Sequence, residues 1–246
     1  MIPERFPHLF ARNPHLSKAA FLRSAALILC VSKSTRSDLE EIYPGLRVPV
    51  HVTPLGVGPG WFREIRTQNE SIPRFVFVGA RGGYKDFRVL MQALDVLSDV
   101  AATLVIVGGA PLTAEERDWA SRSRRITVEH LPGMGDSELA EEYHRSSLFV
   151  FPSRAEGFGL PVLEAMAAGA IVVTSDAAAL VEAGDGHAIT FARGEADSLA
   201  AALRTALGLT FTERIQRLHA AQAYAATMTW HRTAELTLSA YKEFSG

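Results

Sequence analysis

The sequence has few of the features that mark secreted and membrane proteins. It holds a single cysteine, Cys30, so no disulfide can form within the chain. The longest apolar stretch near the N terminus, "SAALILCVS", is far shorter than the roughly 20 residues that cross a bilayer as a helix. The opening "MIPERFPHLF" lacks the pattern of a signal peptide. These absences indicate a reducing, cytoplasmic setting in which Cys30 is a buried core thiol.

Acidic residues are missing from one stretch near the N terminus. No Asp or Glu lies between Glu4 and Asp38, and the interval holds Arg5, Arg12, Lys18, Arg23, Lys33, Arg36, His8 and His15. The local positive field fits either a solvated face beside an acidic partner or a peripheral contact with anionic lipid or phosphate. The formal net charge of -2 gives no argument for binding nucleic acid.

Short β-branched runs alternate with helical patterns from residue 74 onward. The runs are "RFVFVG", "ATLVIVG", "RITVEH", "SLFVFPS", "AIVVTS" and "HAITFA". Continuous apolar strands that are each followed by a helix are typical of a parallel sheet covered on both faces. The sequence therefore predicts an α/β fold with a doubly wound, Rossmann-like parallel sheet.

Two smaller segments flank this domain. The pattern before it predicts a helix over 15–25, a buried strand in "ALILCVS", a helix in "SKSTRSDLEEIY", one more strand and a Pro/Gly-rich hinge near 54–60. This small number of strands and helices cannot cover both faces of a sheet. Residues 1–57 are therefore interpreted as the tail of another domain. The main domain then spans 58–228. Residues 229–246 form an amphipathic helix whose apolar stripe needs a partner, either the main domain or the N-terminal part.

One candidate site loop follows the first of these strands. The segment "ARGGYKD" places Arg81 and Lys85 around Gly82 and Gly83, which let the backbone approach a ligand closely. Cations beside accessible amides suit a phosphate group, and the alternative is a glycine turn with two solvated cations. Neither G-x-G-x-x-G spacing nor a G-x-x-x-x-G-K-[ST] motif occurs, which disfavours nicotinamide redox chemistry and P-loop hydrolysis.

The second candidate loop lies in "SLFVFPSRAEGFGLPVLEAMAAG". Pro161 suits the first turn of a helix that ends near Gly169. The free amides at such a helix start form a ready site for an anion. Those amides belong to Gly157, Phe158, Gly159 and Leu160.

Two carboxylates flank this predicted anion site. Glu156 lies in the loop before the helix and Glu164 about one turn into it, so both are expected to face one crevice. A carboxylate accepts two hydrogen bonds from a vicinal diol, so the pair suits a phosphate flanked by diols, as in a nucleotide sugar. Alternatively, Glu164 only stabilises the first turn of the helix by interacting with the helix dipole, and Glu156 is a capping carboxylate. The Arg81 and Lys85 loop favours the ligand-binding interpretation.

The segment "FPSRAEGFGLPVLEAMAAGAIVVTSD" resembles the glutamate-x7-glutamate region of retaining glycosyltransferases of family 4, which have a two-Rossmann, GT-B-type architecture. "VGARGGYKDF" is similar to the family's arginine and lysine loop, and "LPGMGDSELAEEYHRSSLFVFPS" to the segment that leads into the glutamate motif. "AALILCVSKSTRSDLEEIYP" and "VTPLGV" resemble the end of the family's acceptor-side Rossmann domain and its hinge, and "MTWHRTAELTLSAYKEF" its closing helix.

The resemblance implies retaining, metal-independent transfer of a hexose from a nucleoside diphosphate sugar to a glycan or lipid-linked acceptor. Arg81 and Lys85 are then expected to hold the diphosphate, Glu156 the donor-sugar hydroxyls and Glu164 the ribose, while the amides at the helix start complete the site. The sequence contains no D-x-D, in agreement with a family that uses cations and helix ends instead of a metal. GDP-mannose is the first expected donor, because the "GYK" loop is similar to that of mannosyl-transferring members, and UDP-hexoses come next.

The chain departs from the family pattern in three places, and one of them is Arg81 in "VGARGG", which lies one residue later than the arginine of many members. Only the last portion of the first domain is recognised, so acceptor residues are not placed, and His8 and His15 are not offered as the family's first-domain histidine. Val181 precedes Glu182 where the family often has proline, which leaves the contacts of that loop open. Two alternatives therefore stand beside the transferase: a truncated, non-catalytic nucleotide-sugar-binding module and a GT-B-type sugar-nucleotide epimerase.

Overall fold

The computed structural model of the protein describes residues 2–9, 17–67 and 71–245. Its strands are β1 (Ile28–Cys30), β2 (Val50–Val52), β3 (Arg74–Val78), β4 (Ala102–Val107), β5 (Ile126–Leu131), β6 (Leu148–Phe151), β7 (Ile171–Ser175) and β8 (Ile189–Phe191). Its α-helices are α1 (Ile2–Arg5), α2 (Lys18–Ser24), α3 (Lys33–Ile42), α4 (Phe87–Val96), α5 (Ala114–Arg122), α6 (Asp136–Arg145), α7 (Leu160–Ala167), α8 (Ala178–Gly184), α9 (Ala196–Leu207), α10 (Phe211–Thr227) and α11 (Trp230–Ser245). Single 3-10 turns cover Pro7–Leu9, Pro59–Trp61 and Gly83–Lys85.

Strands β3 to β8 form one parallel sheet in the order β5-β4-β3-β6-β7-β8. All six predicted strands are present, and the predicted doubly wound sheet is confirmed. Every residue of the central strands β6 and β7 is buried, which explains why their sequences are continuous apolar runs. The chain changes direction across the sheet between β3 and β6, and such a switch point is where parallel sheets bind ligands.

The core consists of an apolar layer on each face of this sheet. Phe75 and Phe77 of β3 point into the layer that packs under α4 and α9, while Val76, between them, points into the layer under α6, α7 and α10. All three side chains are fully buried. The two layers hold β3 and β6 rigidly, so the loops that follow these strands start from fixed positions.

The N-terminal part has a separate two-stranded parallel sheet, β1 beside β2, with α3 packed on it. Cys30 is buried there with Ile28 and Leu39, as expected of a core thiol, and burial raises the pKa of its thiol. Helix α3 begins after a serine cap, as predicted: the Ser32 hydroxyl accepts a hydrogen bond from the amide of Thr35. The domain boundary at residue 57 stays a prediction.

Three cations of the basic N-terminal segment form ion pairs within that part of the chain. These are Arg5 with Asp38 and Glu41, Lys18 with Glu4, and Arg36 with Glu40. The positive field predicted from the sequence is therefore partly offset by carboxylates of α1 and α3. Arg12 and His15 lie outside the described residues.

Helix α11 packs against the hinge through a different face from the one that its sequence predicts. The Thr233 hydroxyl donates to the carbonyl of Pro54 at 2.6 Å, and Ala240 on the same side is 1% exposed. The apolar stripe, which includes Trp230 and Leu238, is about half exposed. Which part of the protein covers this stripe stays a prediction, and hydroxyl and methyl groups suit the close approach to the hinge better than bulky side chains do. Among the described helices, none is long and apolar enough to cross a membrane.

Candidate functional site

The switch point brings together the two loops that the sequence analysis singled out. The cation loop (residues 79–86) follows β3, and the glutamate loop (residues 152–159) follows β6. The amide of Arg154 donates to the carbonyl of Tyr84 at 2.7 Å, which joins the two loops. The Lys85 Nζ lies 2.8 Å from Glu156 Oε1, so one predicted cation and one predicted carboxylate form an ion pair.

Lys85 and Glu156 are held in partly buried positions. Their side chains are 18% and 14% exposed, and the Lys85 Nζ also lies 4.7 Å from the centre of the Phe151 ring at the end of β6. The solvated-cation alternative is therefore wrong for Lys85. The capping alternative is wrong for Glu156, because the N-cap of α7 is Gly159 and receives no side-chain hydrogen bond.

The glutamate loop ends in a helix start with unused amides. Helix α7 begins at Leu160 with Pro161 in its first turn, as predicted. Gly159 has φ 104°, and a Cβ there would lie 2.8 Å from a methyl group of Leu180, so both the backbone and the packing require glycine. Among the described residues, no acceptor binds the amides of 157–160. A helix N terminus with free amides attracts anions.

Arg81 points away from Glu156, toward the loop after β4. Its Nε lies 2.9 Å from Glu116 Oε1, and its two terminal nitrogens donate to the carbonyls of Gly108, Ala110 and Pro111. These contacts occupy four of the five N–H groups of the guanidinium. The side chain is 6% exposed, so the solvated-cation alternative is wrong here too. The role of Arg81 at a diphosphate stays a prediction.

Glu164 lies in α7 near Asp136 of α6. It is the fifth residue of α7, and that helix has no acidic residue in its first turn, so the helix-dipole alternative is wrong. Burial, and then the charge of Asp136, raise the pKa of Glu164 to about 7. In the described part of the chain its carboxylate forms neither an ion pair nor a hydrogen bond. Glu156 thus contacts Lys85 while Glu164 lies near Asp136 of α6, and the expectation that both carboxylates face one crevice stays a prediction.

The structure adds Arg154, which the sequence analysis passed over. Its Nε lies 2.6 Å from Asp86 Oδ2, and its side chain is 49% exposed. With Glu156, Arg193 and Arg5 it lines a cleft of about 370 Å³ between the glutamate loop and the N-terminal segment. The available signal was its position two residues before Glu156, inside an already identified loop.

Comparison with known proteins agrees with this geometry. Residues 72–208 match the sequence model of a family described as glycosyl transferases group 1. The chain belongs to the group 1 glycosyl transferases. The resemblance drawn from the cation and glutamate loops is thereby confirmed at the level of the family.

The chain has relatives that carry different names. It is 27% identical over 258 residues to the O-antigen chain mannosyltransferase B of Escherichia coli, covering 98% of the chain and 66% of that protein. It is 31% identical over 229 residues to the D-inositol 3-phosphate glycosyltransferase of Nocardia farcinica, covering 85% of the chain and 47% of that protein. The chain thus spans about half to two thirds of the length of these relatives.

Solved structures show the same fold. The sucrose-phosphate synthase of Thermosynechococcus elongatus superposes with a TM-score of 0.77 at 17% identity, over 97% of the chain and 65% of that protein. The predicted GT-B-type fold of the chain is confirmed. Within its described residues, no group of three or more His, Cys, Asp or Glu side chains could hold a metal ion.

Proposed function

We propose that the chain binds a nucleoside diphosphate sugar between the cation and glutamate loops and that the whole protein transfers its hexose, with retention, to a glycan or lipid-linked acceptor without a metal. The observation that carries the proposal is the Lys85–Glu156 ion pair, which adjoins the free amides at the start of α7. Cations and amides suit the diphosphate, and carboxylates suit the hydroxyls on either side of it.

The expected chemistry is electrostatic. As the bond from the sugar to the diphosphate breaks, negative charge grows on the departing nucleotide. Lys85 and the amides of 157–160 stabilise that charge more in the transition state than in the ground state, which accelerates the reaction. Arg81 contributes through its one remaining N–H. Glu156 is assigned to the donor-sugar hydroxyls and not to nucleophilic attack, because Lys85 already neutralises it.

Glu164 is assigned to the nucleotide ribose. A partly buried carboxylate without a protein partner is costly, and a ribose diol supplies the two donors that it lacks. GDP-mannose is the first donor proposed, supported by the "GYK" loop and by the mannosyltransferase among the relatives. UDP-hexoses are the second donors proposed.

A donor panel tests the proposal. The chain is incubated with GDP-mannose or UDP-hexoses and with oligosaccharide or lipid-linked acceptors, and products are weighed by mass spectrometry. A product heavier by one hexose supports transfer. Binding without transfer identifies a nucleotide-sugar-binding module. Conversion of the donor to an isomer identifies an epimerase. The site assignment fails when no nucleoside diphosphate binds.

A cytoplasmic setting with a peripheral contact to anionic lipid through the basic N-terminal segment is also proposed. The cation-rich sequence supports this contact. The ion pairs of Arg5, Lys18 and Arg36 reduce the positive charge that the segment offers to lipid. Co-sedimentation with phosphatidylserine vesicles checks it, and equal sedimentation with neutral vesicles contradicts it.

A further inference from the structure

The first turn of α3 contacts the backbone of the glutamate loop. The carbonyl of Gly157 accepts one hydrogen bond from Ser32 Oγ and one from Thr35 Oγ1, each 2.6 Å long. Ser32 Oγ also lies 3.0 Å from Thr35 Oγ1, and each hydroxyl has one proton, which it can donate to this carbonyl. Ser32 is fully buried, so the contact is shielded from water. A loop of the main domain is thus held by side chains more than 120 positions earlier in the chain.

This contact sets the direction of an amide at the proposed anion site. A trans peptide unit is planar, and its C=O and N–H groups point in opposite directions. Because the Gly157 carbonyl points to α3, the amide of Phe158 points away from α3. Glycine at 157 and 159 would otherwise leave this segment many backbone conformations. The two hydroxyls therefore restrict a loop that its own sequence leaves flexible.

Helix α3 is itself fixed to the main domain from a second direction. The carboxylate of Glu182 in α8 accepts the amides of Lys33 and Ser34, at 2.8 and 3.0 Å. A carboxylate at a helix N terminus is favourable for both the free amides and the helix dipole. The carboxylate of Glu182 therefore contacts the start of α3. These hydrogen bonds fix the position of α3, whose first turn in turn holds the Gly157 carbonyl.

We propose that Ser32 and Thr35 are positioning residues for donor binding: by holding the Gly157 carbonyl, they aim the Phe158 amide and the start of α7 at the donor diphosphate. They act through the glutamate loop. The proposal rests on the proposed function, because it assumes that a diphosphate binds at 157–160. It makes the N-terminal part necessary for the donor site.

Thr35→Val separates positioning from a purely structural role. The substitution keeps the shape of the side chain, the capping of α3 by Ser32 and the hydrogen bond from Ser32 to the Gly157 carbonyl. It removes the hydroxyl of residue 35 and with it the second hydrogen bond to that carbonyl. Affinity for inorganic pyrophosphate, and for whichever of GDP and UDP binds the wild-type chain, is expected to fall about threefold to tenfold by calorimetry. Affinity for the matching nucleoside, titrated by NMR, is expected to stay the same. Lower thermal stability with equal affinities for all ligands overturns the proposal.

Two control variants accompany it. Thr35→Ser keeps the hydroxyl and is expected to bind within about twofold of wild type. Thr205→Val removes an exposed hydroxyl on α9 that donates to the carbonyl of Ala201 at 3.0 Å, and it is expected to change no affinity. A loss of diphosphate binding in Thr35→Ser or Thr205→Val equal to that in Thr35→Val overturns the proposal.

The amide resonance of Phe158 gives a second readout that needs no substitution. In ¹⁵N-edited NMR spectra it is expected to shift when pyrophosphate is added to the wild-type chain, and to shift less in Thr35→Val. A wild-type chain that binds pyrophosphate while the Phe158 amide stays unmoved overturns the positioning role and leaves donor binding intact. A wild-type chain that binds neither GDP, UDP nor pyrophosphate overturns the proposed function, and this inference with it.

Discussion

Lys85 is the cation that we expect to contribute most to the binding of a diphosphate. Its side chain is 18% exposed and its ammonium is already paired with Glu156, so its position does not depend on the ligand. Replacing it by alanine removes a charged hydrogen bond, and Lys85→Ala is expected to weaken GDP or UDP binding by about 1.5 to 3 kcal/mol in calorimetric titrations. Lys242→Ala, an exposed lysine on α11, is the matched control and is expected to bind as wild type. Equal affinities for the two variants contradict the role of Lys85.

The two glutamates should differ in which part of the donor they bind. Glu164→Ala is expected to weaken binding of the nucleotide alone, because the ribose loses its carboxylate. Glu156→Ala is expected to weaken only the intact nucleotide sugar. It leaves Lys85 unpaired and more attractive to phosphate, so its nucleoside diphosphate binding should hold or improve. Calorimetry of both ligands with both variants decides the matter, and parallel losses throughout contradict the division.

Glu164 also makes the stability of the fold depend on pH. Its folded-state pKa of about 7 lies above the ordinary value of 4.5, mainly because it is buried, so the protonated carboxyl stabilises the fold. That stabilisation is complete below the ordinary value and is lost as pH rises through about 7. Relative to Glu164→Gln, the free energy of unfolding of the wild type is expected to fall by on the order of 3 kcal/mol over this range.

Chemical denaturation at a series of pH values measures this difference. Both proteins lose or gain stability through their other carboxyls, so only the gap between the two curves reports Glu164. Curves that run parallel from pH 4.5 to 8 contradict the raised pKa.

At the scale of elements, the start of α7 depends on one glycine. Gly159→Ala places a Cβ in the left-handed backbone region and 2.8 Å from Leu180, so strain and a clash arise together. The free energy of unfolding of the variant, measured by denaturant titration, is expected to be about 1 to 3 kcal/mol lower than that of the wild type. Gly60→Ala meets no atom within 4 Å and is the matched control. Comparable losses in the two variants contradict the requirement for glycine at 159.

Elements were predictable where a single local pattern decides them. The strands that became β3 to β8 are short apolar runs between helical patterns, and burial on both faces of the sheet produces that pattern directly. Helix α3 was predictable from its serine cap. The meeting of the cation loop with the glutamate loop was predictable from the rule that loops after neighbouring parallel strands meet at one edge, whereas the ion pair between Lys85 and Glu156 was not predicted.

Other features depend on contacts that no local pattern contains. Arg81 turns toward Glu116 because the carbonyls after β4 offer it several acceptors, and the spacing of its own loop does not show them. The packing face of α11 is set by the close approach of the backbone at Gly56, where a Cβ would lie 2.2 Å from Thr229. The bond from Thr35 to Gly157 joins segments that are adjacent only in the folded chain.

At the scale of the whole molecule, several contacts between described residues join the N-terminal part to the main domain and to α11, and they include the following hydrogen bonds. Glu182 holds the start of α3, Thr35 holds Gly157, and Thr233 holds Pro54 of the hinge. Two of these contacts lie beside the glutamate loop, so the arrangement of the two parts and the shape of the donor site are connected. Trp230 and Leu238 are about half exposed on the outer face of α11.

The account depends above all on whether this chain binds a nucleoside diphosphate between the cation and glutamate loops. Calorimetric titration of the wild-type chain with GDP and with UDP, repeated with Lys85→Ala, tests this most directly. We expect at least one of the two nucleotides to bind the wild type, and its affinity to fall in the variant by the amount expected for a lost charged hydrogen bond. No heat of binding with either nucleotide, or equal affinity in the variant, would contradict the account.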